Sequence, residues 1–177
     1  MQNAPSADTA MTRQVNETGI NLREKCLKPG DDNEAAQKAI ANAEQAMEQL
    51  SVNFDHWIAT ESRQLAKSRD EAKAAGLSED KLGILFQAAH NLKGQATTLG
   101  YPFADEICAS LCRLIDKIPD KSRLPILLID QHVDAVRALV AEGAKGTDNP
   151  KASVLAKRLR DVTGDFLAQE MARANAS

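Results

Sequence analysis

The sequence predicts an all-α fold, an antiparallel four-helix bundle with extra flanking helices. Two observations carry that expectation. Hydrophobic residues make up 43% of the 177 positions but aromatics only 3%, so alanine and leucine fill the apolar positions and favour helix over strand. Apolar residues also recur at spacings of three and four through most of the chain, and 9 Gly and 6 Pro are too few for a turn-rich β fold.

Residues 1–30 are polar, with Asn3, Pro5, Ser6, Asn16 and Gly19 and no sustained periodicity, and read as a disordered tail. Within the tail Ile20, Leu22, Cys26 and Leu27 form a short amphipathic stretch, a transient helix or a docking segment. The helical domain is expected over residues 31–175. Its first segment, 32–50, places Ala36, Ile40, Ala43, Met47 and Leu50 on one face. The second, 54–75, is led by Phe54, Trp57, Ile58, Glu61 and Leu65. Ser51 and Asn53 are available as caps between them, and a single continuous helix is equally compatible with the pattern.

The third segment is the best delimited. Gly76 closes the helix before it, Ser78 is a favourable N-cap, and Leu77 with Leu82 fits a hydrophobic staple. Glu79 and Asp80 sit at the positive end of the helix dipole. The helix is expected to run to Leu99 and to stop at Gly100, a residue suited to the left-handed position past a helix end. Pro102 opens a fourth segment to Ile118, where its missing N–H costs nothing. A fifth, 122–142, carries Ile126, Ile129, Val133, Val136 and Val140. A sixth, 150–171, carries Leu155, Leu159, Val162 and Phe166, with Gly164 a weak point. Helices joined by such short connections pack as neighbours in a bundle.

Charge and composition exclude several functions. With 22 Lys+Arg against 25 Asp+Glu the formal charge is −3, and no basic block interleaved with aromatics supports nucleic-acid binding. The longest purely apolar run, Ile126 to Ile129, is far short of the ~20 residues of a membrane span. No secretory pattern opens the chain, so a cytoplasmic protein is expected. Cys26, Cys108 and Cys112 then read as reduced thiols. Cys108 and Cys112, at i and i+4 among Ala, Ser and Leu, are read as small core residues.

The chemistry lies on the third helix, in His90-Asn91-Leu92-Lys93-Gly94-Gln95-Ala96-Thr97-Thr98-Leu99-Gly100. Leu82, Leu85, Ala89, Leu92, Ala96 and Leu99 form the core-facing seam. At ~100° per residue His90 lies ~160° from Leu92 and ~140° from Leu85, so it projects away from the core. Its face carries Lys93 at i+3, Gly94 at i+4, Thr97 at i+7, Gln87 at i−3 and Gly83 at i−7. Lys93 can place its ammonium near a group bonded to the imidazole. Glycine inside a helix costs ~1 kcal/mol relative to alanine, so Gly94 calls for a reason, and room for a partner's active site beside His90 is one. Gly83 adds weakly to that argument.

Imidazole, with an ordinary pKa of ~6.5, is nucleophilic at neutral pH. Phosphorylation would add up to ~−2 charge, which a lysine one turn away offsets. No serine or carboxylate shares the face to form a triad, and no HExxH spacing occurs. His56, equally exposed, has only Ala59 and Thr60 at i+3 and i+4 and reads as an ordinary surface residue. His132, at the edge of the core near Ile129 and Val133, reads as a structural hydrogen-bonding residue.

These residues resemble the H-x-L-K-G-x5-G pattern of histidine-containing phosphotransfer domains. Ile107-Cys108-Ala109-Ser110-Leu111-Cys112 resembles the family's next apolar segment, and residues 32–145 fit its bundle. The resemblance implies that His90 accepts phosphate on Nε2, that Lys93 neutralises it, that Gly94 admits a receiver domain and that Gly100 ends the helix. Position 95 is often serine in the family and is Gln95 here, which leaves its contribution open. Response-regulator receiver domains, with a hybrid sensor histidine kinase as a further candidate, are the implied partners. The receiver would supply Mg²⁺, and the chain itself would bind no cofactor or metal.

No Gly-rich nucleotide loop is present, so a carrier is expected and a kinase is not. One exposed face suffices for such a carrier, so a monomer is expected. The competing reading is a non-catalytic helical module that binds receiver domains or other signalling partners through the same face. A metal-binding bundle is disfavoured, because such sites use inward-facing Glu and His.

Overall fold

The computed structural model describes residues 32–175. They form five α-helices: α1 (Asp32–Ala74), α2 (Glu79–Ala96), α3 (Pro102–Lys117), α4 (Ile126–Ala141) and α5 (Pro150–Ala174), with a turn of 3-10 helix, Lys121–Arg123, ahead of α4. The fold is the expected all-α bundle, and no strand occurs among the described residues. The expected tail over residues 1–30, with Ile20, Leu22, Cys26 and Leu27, lies outside the described residues.

The chain forms two units, Met1–Leu50 and Ser51–Ser177. In the first, the described part is helical from Asp32, and every side chain from residue 35 to 50 is exposed. Ala36, Ile40, Ala43, Met47 and Leu50 do line up at helical spacing, but the face they make is solvated: Met47 is 70% exposed. Spacing shows that a helix has a face to bury and does not supply a surface to bury it against. Ser51 and Asn53 serve as interior residues of α1, which continues through them.

The second unit holds the core. Its centre is α3, which packs against α2, α4 and α5. The helix earns that place by composition, since Phe103, Ala104, Ile107, Cys108, Leu111, Cys112, Leu114 and Ile115 leave few polar positions to face water. Ile58, Leu65 and Ala72 of α1 join the same core. Arg69 of α1 ties its helix to α4 through Asp130 (3.2 Å) and Asp134 (3.1 Å), and Lys73 reaches Asp130 (2.7 Å). Cys108 and Cys112 are buried free thiols, as expected. Burial pushes the Cys112 thiol up to about 11 and Cys108 higher still, so neither is a thiolate near neutral pH.

Three helix boundaries differ from expectation by three residues or more, one of them the end of α5, which runs past 171 to Ala174. Residues 122–125 do not belong to α4, because Pro125 restricts Leu124 to an extended conformation and the helix can start only beyond it. The α2 helix ends at Ala96, and residues 97–100 form a turn. There Tyr101 N–H donates to the Ala96 carbonyl (2.8 Å) and Gly100 N–H to that of Thr97 (3.0 Å), the paired bonds of a Schellman cap. Gly100 takes φ +89°, and its carbonyl accepts the amide of Gly146 (2.8 Å), pinning the α4–α5 loop to the end of α2. Lys145 of that loop lies 5.7 Å from the Tyr101 ring and pairs with Asp55 at 2.6 Å. Ser78 occupies the N-cap position of α2, but its side chain makes no capping hydrogen bond.

Candidate functional site

The buried seam of α2 is Leu82, Leu85, Ala89, Leu92 and Ala96, with Leu99 half-buried in the turn beyond. Its period fixes the opposite face, and His90 is exposed there. Gln87, Gly83, Gly94, Gln95 and Thr97 are exposed on the same helix and its end.

Gly94 and Gly83 are open positions. A Cβ added at either would meet nothing within 4 Å. Among the described residues, packing therefore gives no reason for a glycine at 94, and the helix surface there, one turn from His90, is uncovered. Gln87 donates from Nε2 to Asn91 Oδ1 (2.7 Å), so these two polar side chains brace each other one turn apart.

Lys93 is half-buried at the edge of the face, and no hydrogen bond or ion pair engages its ammonium among the described residues. Its charge is felt on α3. It opposes the rise in the Asp105 pKa, a rise caused first by burial and reinforced by Glu106, and it opposes the rise at Cys112. The ammonium is thus an unpaired charge, among the described residues, whose field reaches the acidic Asp105 on α3.

One neighbour of His90 was not anticipated from the sequence. The Phe86 ring stacks on the imidazole, centroids 5.9 Å apart and planes inclined by 16°. The i−4 spacing was the available signal, since helical side chains lean toward the N-terminus and meet the residue one turn back. Phe86 is half-buried and packs against the core, and its carbonyl accepts from Cys112 Sγ at 3.9 Å.

The other histidines are placed differently. His56 is exposed on α1. His132 is fully buried, deeper than the core edge expected for it: Nδ1–H donates to the Leu128 carbonyl (2.7 Å), and Nε2 meets the hydroxyls of Ser110 (3.0 Å) and Thr163 (3.3 Å). Among the described residues no three His, Cys, Asp or Glu side chains come together as a metal-binding group.

The sequence model of the Hpt domain matches residues 33–142, more than half of the chain. The chain belongs to the Hpt domain family. Hpt domains serve phosphotransfer in phosphorelays and interact with receiver domains, and membership gives this chain a phosphotransfer role in general terms. The Hpt match takes in α1 to α4 and stops before α5, which nonetheless packs on α3 and α4. No curated protein and no solved structure matches the chain at the significance required. No helix of this Hpt protein is long and apolar enough, among the described residues, to cross a membrane.

Proposed function

We propose that the chain carries phosphoryl groups on His90, relaying them between the aspartates of receiver domains, with a hybrid histidine kinase as a further donor. The observation that carries this reading is the exposed imidazole of His90 with Lys93 at i+3 and an open Gly94 at i+4. A receiver's phosphoaspartate approaches over Gly94. A lone pair on a neutral imidazole nitrogen attacks phosphorus in line, the bond from phosphorus to the aspartyl oxygen breaks, and the carboxylate leaves with the electron pair. The ring's other nitrogen keeps its proton. Lys93 offsets the charge then placed on the imidazole. The reverse sequence hands the group to a second receiver.

Mg²⁺ belongs to the receiver in this scheme, where it stabilises charge on the transferring group. The chain acts as a carrier: it supplies the nucleophile and the surroundings, and the partner supplies the rest of the phosphoryl-transfer site. Gln87, Gly83, Thr97 and Gln95 form the surface the receiver covers.

The test uses a receiver labelled with phosphate on its aspartate, mixed with wild-type protein or with His90→Gln. Acid-labile, base-stable label on the wild type alone is the expected result. Label on His90→Gln, or none on the wild type from any of several receivers, would overturn the assignment and favour a non-catalytic module using the same face.

A further inference from the structure

We infer that Phe86 is a positioning residue for His90, fixing the plane of its imidazole and closing the N-terminal side of the ring so that a partner approaches from the side of Gly94. The inference rests on His90 as phosphoacceptor and deepens that reading. Neither the motif residues nor the phosphotransfer role assigns anything to position 86.

The argument begins with helix geometry. Side chains on a helix lean toward its N-terminus, so the His90 ring lies back over the turn that carries Phe86. There it meets a nearly parallel aromatic ring, 16° from its own plane with centroids 5.9 Å apart, the offset arrangement that aromatic pairs favour. Phe86 is anchored, because it packs against the core and its backbone carbonyl receives the Cys112 thiol. The imidazole, by contrast, is exposed, and among the described residues no hydrogen bond holds it on either side. An exposed histidine without such a plate would sample several rotamers.

The two sides of the imidazole along the helix axis are therefore unlike. At i−4 stands a fixed aromatic ring, and at i+4 stands Gly94, where even a methyl group would touch nothing within 4 Å. Lys93 follows at i+3, on the C-terminal side of His90 with Gly94. An attacking imidazole gains rate when its orientation is settled before the partner arrives, because less rotational freedom is lost on reaching the in-line geometry. Phe86 touches neither the phosphoryl group nor the receiver's aspartate in this scheme. It acts through His90.

Phe86→Leu keeps an apolar side chain in contact with the core, and Phe86→Tyr keeps the ring. In the full chain, single-turnover transfer from a phosphorylated receiver at saturating concentration is expected to slow by about three- to tenfold in Phe86→Leu. The receiver concentration for half-maximal rate stays as in wild type, and Phe86→Tyr recovers the rate. Proton NMR supplies a readout that loss of packing alone would not move: the His90 ring protons carry a ring-current shift in wild type and in Phe86→Tyr and lose it in Phe86→Leu. Wild-type transfer by Phe86→Leu, with His90→Gln silent, would overturn the role of Phe86 alone. Absence of the ring-current shift in wild type would do the same. Transfer by His90→Gln would instead bring down the phosphoacceptor reading on which this one stands.

Discussion

Nε2 of His132 on α4 lies 3.0 Å from the Ser110 hydroxyl on α3, and Thr163 of α5 closes the group at 3.3 Å, so three helices meet around one buried imidazole. Ser110 and Thr163 also bond to each other at 3.1 Å. Burial holds the His132 pKa below its ordinary value, against a smaller upward pull from the Leu128 carbonyl. The unfolded chain therefore binds a proton that the folded chain refuses. The contribution to stability is complete above the unfolded pKa of ~6.5 and is lost progressively as pH falls below it toward the folded value. Urea unfolding between pH 8 and pH 5 is expected to show stability declining across that window. His132→Leu keeps the volume and leaves Ser110 and Thr163 paired, and its decline over the same window is expected to be shallower. Equal slopes for the two proteins would remove His132 from the account.

The site was legible where one helix suffices to compute it. Leu82, Leu85, Ala89, Leu92 and Ala96 are buried as their period requires, and His90 is exposed for the same reason. Gly100 was readable too, because a glycine just past a periodic run marks a left-handed turn, and it has φ +89°. What was lost depended on other elements. His132 is core because α3 and α5 bring Ser110 and Thr163 to it from 22 and 31 positions away, and no periodicity within α4 contains that. Ile40, Met47 and Leu50 were placed on an apolar face, yet they are exposed, because amphipathic spacing cannot say whether the fold offers a partner surface. Phe86 is hidden from sequence reading for a different reason. An aromatic beside a core seam is ordinarily counted with the core, and half of it is, while its ring serves as the floor of His90.

Lys93 has no ion-pair partner among the described residues, so in the proposed scheme its charge is available to a phosphorylated His90. A unit charge at contact distance near a surface is worth one to a few kcal/mol, and each ~1.4 kcal/mol is tenfold in rate. Lys93→Ala is accordingly expected to slow phosphoryl transfer by about tenfold and to leave measurable activity, whereas His90→Gln leaves none. The Lys93→Ala deficit should also shrink at high salt, since screening weakens the same interaction in the wild type. A deficit that stays constant between low and high salt would argue for a contact role instead of a charge role.

Gly100 joins two jobs that alanine can do only partly. Its carbonyl takes the Gly146 amide, and its φ of +89° is costly for any residue with a Cβ. Space is not the obstacle, because the added Cβ would sit 3.7 Å from the Lys145 side chain, an ordinary contact. Gly100→Ala is expected to destabilise the fold by about 1–2 kcal/mol from backbone strain. For a protein of this size each kcal/mol lowers Tm by roughly 2–4 °C. Calorimetry of Gly100→Ala beside wild type checks it, and an unchanged Tm would mean that the turn relaxes at no cost.

Gly94 separates the interests of the fold from those of the partner. It lies in the last turn of α2 at an ordinary helical φ, with nothing within 4 Å of an added Cβ. For the isolated protein Gly94→Ala should be a gain, since alanine loses less chain entropy in a helix, by about 0.5–1 kcal/mol. Gly83→Ala should stabilise by a similar amount, because it is equally uncrowded. The two differ in distance from the imidazole, one turn for Gly94 and two for Gly83. If a receiver's active site seats against the bare backbone at 94, a methyl group there obstructs it. Transfer by Gly94→Ala is expected to fall several-fold while Tm rises, and Gly83→Ala to raise Tm with less effect on transfer. A Gly94→Ala protein that is both more stable and fully active would show that the glycine is not kept for the partner, and the open space beside His90 would need another explanation.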